Sequence, residues 1–168
     1  MVDYKGNGPV IVHIVPHSHD DVGWKKTVNA YFDGSYKDIQ WTNVNIELTS
    51  IMHALLQNPD RKFSQVEVKF FKMWWDLQSD AMKTNVKSLV ENGQLELING
   101  GWSMHDEACP TYTDMITNMM KGHDFLLKEF GVKPRIGWHV DPFGHSSTNA
   151  RLFSDMGFDA FFYARTDY

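Results

Sequence analysis

The most apolar stretch of the chain is VIVHIV, from Val10 to Val15, and it stops at Pro16. An almost continuous β-branched run of this length predicts a strand buried on both faces of a parallel sheet. Helical spacing follows over about 36–57, where Ile46, Leu48, Ile51, Met52 and Leu55 share one face and Asn58-Pro59 marks the stop. FSQVEVKFF from Phe63 reads as a second strand. An amphipathic helix is expected over about 79–92, with a stripe of Val86, Leu89 and Val90 ended by Asn92-Gly93. LELING from Leu95 is a third strand that runs into Gly100-Gly101-Trp102. A helix over about 113–130 closes at Gly131, and RIGWHVDPF from Arg135 is the fourth strand. A short helix over about 147–156 precedes Gly157, and AFFYAR from Ala160 is the fifth strand. Strand alternating with helix is the signature of an α/β domain with a parallel sheet. No repeat or linker interrupts it, so residues 1–168 are expected to form a single domain.

That order gives the polar residues a meaning, because ligands of parallel α/β folds sit at the carboxyl ends of the strands. His17, His19, Asp20 and Asp21 follow the first predicted strand. Trp102, His105, Asp106 and Glu107 follow the third; His139, Asp141 and His145 close the fourth, and Arg165 closes the fifth. In an extended segment residues two apart face the same side. His17, His19 and Asp21 therefore share a side and Asp20 points away. An imidazole and a carboxylate at that spacing can chelate one divalent cation, zinc best, with cobalt or manganese also suited. The competing reading is a helix cap by Asp20 or Asp21 beside surface histidines.

Asp141 is the candidate third ligand. It ends an apolar strand and precedes Pro142, which cannot continue a ladder. Buried there without a partner it would be costly, and a cation would offset that cost. Its alternative is a turn-forming aspartate in DPFG. His145 is either a donor behind the site or a cap of the next helix. Asp106 and Glu107 are candidates for binding substrate hydroxyls, Glu107 more readily for capping the helix after Pro110. Arg165 either pairs with Asp167 or orients the pocket carboxylates. His13, His53 and His123 read as structural.

Composition narrows the partners. The 168 residues carry a net charge of −5, which argues against nucleic acid. Aromatic residues make up 14%, with six Trp. Most belong in a core, but Trp24 beside the acidic run and the Trp74-Trp75 pair keep open flat surfaces for stacking on sugars. The single cysteine, Cys109, excludes an internal disulfide and reads as a small buried residue. No leader pattern and no membrane-length apolar run is visible, which implies an intracellular protein or a targeting segment outside this sequence.

HIVPHSHDDVGW, NGGWSMHDEA, GWHVDPFGHS and MGFDAFFYARTDY together resemble the amino-terminal part of family 38 glycoside hydrolases, the class II α-mannosidases, especially those of the lysosomal type. The similarity runs from about Val10 to Tyr168. It implies a barrel-like parallel β/α catalytic domain, incomplete here at about five β/α units. It implies one zinc ion on His19, Asp21 and Asp141, with Asp141 also the catalytic nucleophile. Trp24 and Phe143 would line the sugar site and Arg165 would sit beside the nucleophile; Asp106 falls in a patterned segment as a substrate-binding candidate. The implied reaction is retaining hydrolysis of terminal α-linked mannose from N-glycans, in a lysosome or another acidic vacuolar compartment. A second histidine ligand and the acid/base residue would lie past Tyr168. The chain alone is therefore expected to be a nearly inactive fragment, prone to self-association through exposed apolar faces. A metal-dependent polysaccharide deacetylase and a non-catalytic carbohydrate-binding remnant, holding sugar with Trp24, Trp102 and Phe143, are the alternatives.

Overall fold

Helix caps and glycines set most element boundaries in the computed structural model, which describes residues 8–166. Helix α1 (Val28–Asp33) starts where the Thr27 hydroxyl accepts from the Ala30 N–H, and it ends at Gly34 in the left-handed region. Helix α2 (Val44–Gln57) starts at Asn43, whose side chain accepts from the Ile46 N–H. That cap shortens the helix expected over 36–57. Extended backbone at Asn43 blocks continuation upstream, and residues 37–39 form a turn instead.

Strand β1 (Phe63–Gln65) is shorter than expected, because helix α3 (Val68–Asp76) takes over the rest of FSQVEVKFF. Val68, Phe70, Phe71, Trp74 and Trp75 are all buried, which is a helical face and not a strand's alternation. The first N–H groups of α3 donate to the Gly101 and Trp102 carbonyls at 3.1 and 3.0 Å. The Trp74-Trp75 pair is thus core, with the Trp74 indole N–H donating to Thr49 Oγ1 at 2.9 Å. Helix α4 (Asp80–Glu91), strand β2 (Leu95–Leu97), helix α5 (Tyr112–Phe130), strand β3 (Ile136–His139), helix α6 (Ser147–Met156) and strand β4 (Ala160–Tyr163) complete the order, close to the predicted bounds.

The strands form two parallel pairs, β1 with β2 and β3 with β4. Asn99 joins the pairs. Its backbone N–H donates to the Ile136 carbonyl at 2.6 Å, and its buried side-chain oxygen accepts from the Trp138 N–H at 3.2 Å. This takes a left-handed backbone, φ +57°, just past β2. The parallel α/β class is as expected, but four strands are present among the described residues, not five.

The missing strand is Val10–Val15. Val10 and Ile14 are 79% and 84% exposed, and no strand among the described residues pairs with the run. Its only register is the parallel bridge His17–Ser64, where the Ser64 N–H donates to the Pro16 carbonyl at 2.9 Å. A strand buried in a parallel sheet needs a layer over each face. The exposure shows that these residues have none.

Leu48 and Met52 of α2, Phe70, Phe71 and Trp74 of α3, and Val86 of α4 form the main core, each fully buried. Helix α5 packs against the end of β2. An added Cβ at Gly122 would stand 1.9 Å from the Gly100 carbonyl oxygen, a backbone atom that cannot step aside. Gly93 has positive φ but open space around it. Gly122→Ala is therefore expected to destabilise by at least about 1–3 kcal/mol through overpacking. Gly93→Ala should cost only the left-handed strain of about 1–2 kcal/mol. Urea unfolding midpoints of the two variants check the order.

Candidate active site

The chain past the His17 bridge, past β1 and past β3 delivers polar side chains to one cleft, and the chain past β4 brings Arg165 to the Asp141 carboxylate. Two residues past the bridge at His17 comes His19, and two further Asp21. Two past β1 comes Glu67, two past β3 comes Asp141, and two past β4 comes Arg165. The cleft has a volume of about 470 Å³ and is lined by His19, Asp21, Glu67, Asp106, Asp141 and Phe143 among others.

One atom each of His19, Asp21 and Asp141 lies within 4.8 Å of the other two. His19 Nε2 is 3.2 Å from Asp21 Oδ1 and 3.5 Å from Asp141 Oδ2. The other Asp141 oxygen, Oδ1, accepts from Arg165 Nη2 at 3.0 Å. Arg165 is held at φ +56°, a backbone state unusual for a residue with a side chain, and its guanidinium lies 5.7 Å from the Phe143 ring centroid. Asp167, the alternative partner for Arg165, lies outside the described residues.

Glu67 stands behind His19. Its carboxylate is 1% exposed, 4.0 Å from His19 Nδ1, and neither oxygen has a hydrogen-bond partner. Burial, reinforced by the charge of Asp20, pushes its carboxyl well above the ordinary value. Sequence reasoning missed Glu67 because it was assigned to a strand; its one signal was a lone acid inside FSQVEVKFF. Asp20, expected to point away from His19, is buried and also lines the cleft, where it accepts from the Ser18 hydroxyl at 3.0 Å. It caps no helix, since α1 is capped by Thr27.

Other candidates are placed differently. Trp24 lies outside the cleft lining and is 65% exposed, with the Lys25 ammonium 4.4 Å from its ring centroid. Trp102 is half-buried against the main core. Asp106 lines the cleft, and its Oδ1 accepts from the Ala108 and Cys109 N–H groups at 2.6 and 2.8 Å. Cys109 is exposed at the cleft, not buried, because that turn lifts it out of the core. Glu107 does not cap the helix after Pro110; Thr111 and Asp114 do so with a capping box. Glu107 is buried and accepts from His139 Nδ1 at 2.7 Å, His145 Nδ1 at 2.9 Å and the Ser146 N–H at 2.7 Å. Burial pushes its carboxyl up, but those donors outweigh burial and hold it at about 2. His105 is buried against His139, and the two together hold it down at about 4.

An imidazole and two carboxylates converging in a cleft fit a divalent cation by donor type. The arrangement behind them fits as well. A carboxylate facing the far nitrogen of a ligating histidine is the usual outer contact of such sites, and Glu67 is otherwise unexplained in its burial.

Residues 9–168 match the family described as glycosyl hydrolases family 38, N-terminal domain. The chain is similar to the lysosomal alpha-mannosidase of Dictyostelium discoideum, 56% identical over 157 residues, covering 94% of this chain and 16% of that protein. It is 50% identical over 159 residues to the lysosomal alpha-mannosidase of Homo sapiens, with the same two coverages. The chain thus spans about a sixth of these relatives' length. An alpha-mannosidase from Enterococcus faecalis shares the fold at a TM-score of 0.69 and 19% identity, over 89% of this chain and 16% of that one.

Two outcomes follow from the geometry. Chelator competition should show one zinc ion bound per chain. Zinc sites complete in ligands bind with about 10–16 kcal/mol, so His19→Ala or Asp21→Asn should weaken uptake by a few kcal/mol. The Glu107 carboxyl is held at about 2, below its ordinary 4.5. Its stabilisation is therefore complete above pH 4.5 and lost as the pH falls toward 2. Urea midpoints of the unaltered chain should decline across that window, and less steeply in Glu107→Gln.

Proposed function

The chain belongs to glycosyl hydrolase family 38, and from that premise we propose that it is the amino-terminal portion of the catalytic domain of a zinc-dependent, retaining α-mannosidase acting on terminal α-linked mannose of N-glycans. The convergence of His19, Asp21 and Asp141 carries this reading. These three residues would hold the cation, and zinc there supplies a template for sugar hydroxyls and Lewis-acid chemistry.

Asp141 is the nucleophile in this proposal. It attacks the anomeric carbon, the glycosidic bond breaks, and a covalent glycosyl-enzyme results. Arg165, bonded to Oδ1, fixes the carboxylate's orientation and screens its charge. Phe143, which lines the cleft, offers an apolar face to the sugar ring. Asp106 uses Oδ1 for its own turn and keeps Oδ2 for a substrate hydroxyl. Retention needs a second carboxyl roughly 5–5.5 Å from the nucleophile to protonate the leaving oxygen and later activate water. We assign that role to no carboxyl among the described residues; the chain covers only 16% of its Dictyostelium relative. On this reading the 168 residues bind mannose weakly and turn over little of it. The parallel pairs would be part of a barrel-like sheet, and Val10–Val15 is where the isolated chain self-associates. Its similarity to lysosomal alpha-mannosidases favours a lysosome or similar acidic compartment.

Calorimetry of mannose binding tests the reading. A divalent cation offers sugar hydroxyls charge-assisted contacts of about 1.5–3 kcal/mol, so chelator or Asp141→Asn should weaken binding about tenfold or more. Undiminished binding after chelation would favour a metal-independent sugar-binding remnant. Robust release of aryl α-mannoside by the 168-residue chain would overturn the exclusion of an acid/base from the described residues.

A further inference from the structure

Asp141 and Phe143 sit on the segment between β3 and α6, and something must hold that segment still. Its own chain offers little rigidity: Phe143 and Gly144 are exposed, and Gly144 has φ +131°. The two ends of the segment converge on one side chain outside it. Glu107 Oε1 accepts from His139 at the start and His145 near the end, and Oε2 accepts from the Ser146 N–H at the end. The carboxylate is 1% exposed, and its three donors are the last residue of β3 and two residues of this segment. The network also reaches the other side of Asp141. His145 Nε2 meets the Ala164 carbonyl at 2.7 Å, one residue before Arg165, whose guanidinium holds Asp141 at 3.0 Å.

We propose that Glu107 is a positioning residue. Its carboxylate staples both ends of the segment that carries Asp141 and, through His145, sets the backbone from which Arg165 reaches the same aspartate. This rests on the reading of Asp141 as nucleophile and metal ligand. A purely structural role explains the arrangement less well. Burying a carboxylate carries a desolvation cost that an apolar side chain of similar size avoids. What the carboxylate adds is two acceptor atoms aimed at three donors that bracket one segment. Glutamine is a poor substitute: its amide N–H groups can meet the two histidines only if both switch tautomer, and the charge-assisted bonds to a carboxylate are lost either way.

Two variants of the full chain test this, Glu107→Gln and His145→Phe. The second keeps a ring beside Tyr163, 5.1 Å away, while removing one arm of the staple, and serves if the first does not fold. Peptide-resolved hydrogen exchange is the first readout. Exchange should rise within 140–146 and 164–166 in both variants and stay unchanged in helices α2, α3 and α4. Zinc competition is the second: affinity should fall about tenfold, as for other outer contacts that orient a ligand. Unchanged exchange in 140–146, or an equal rise throughout the core, would overturn the proposal. So would zinc affinity equal to that of the unaltered chain. If the unaltered chain takes up no zinc, the metal-site reading fails by itself, and local exchange still decides the role of Glu107.

Discussion

The candidate site depends on a charge imbalance. Two carboxylates, Asp21 and Asp141, are gathered with one imidazole within 4.8 Å. Two unit charges about 4 Å apart repel by about 4 kcal/mol at the effective dielectric of a protein surface. Arg165 supplies one positive charge, on Asp141 alone. A divalent cation between the three donors would turn the remaining repulsion into attraction. Glu67 lies behind the His19 ring as a buried, unpartnered carboxyl, which burial pushes toward its neutral form.

The fold exists, in functional terms, to impose that crowding. Parallel strands start at one end and finish at the other, so residues just past each strand meet although they are far apart in sequence. Helices α2, α3 and α4 bury the large apolar side chains on one flank, which leaves the strand ends free to carry polar groups. Asn99 carries the arrangement across from the first strand pair to the second. The Gly122–Gly100 approach lets α5 lie close against the end of β2, from which the Asp106–Glu107 turn departs.

Much of this was legible in the residues, and the failures share a cause. Asn43 aside, caps and glycines marked the later helices well, because those signals are local. Alternation along HSHDD brought His19 and Asp21 together in the cleft, but Asp20 lines it as well and His17 does not. FSQVEVKFF misled because its apolar residues suit a strand and a helix equally until the Trp74-Trp75 continuation is counted. Val10–Val15 misled in another way: its composition states that it wants burial, whereas burial depends on what packs against it. Glu67 and Glu107 were the residues hardest to read. A carboxylate that orients a ligand or a loop from behind has no spacing of its own, since its partners come from distant strand ends.

X-ray absorption at the zinc edge, on the chain loaded with one equivalent of zinc, tests the central claim most directly. The expected result is a nearest shell of nitrogen and oxygen only, at about 2.0–2.2 Å, with the outer-ring scattering of one imidazole. That imidazole signal should vanish in His19→Ala. A sulfur scatterer near 2.3 Å would place the metal on Cys109 instead. That result, or an imidazole signal indifferent to His19, would contradict the account.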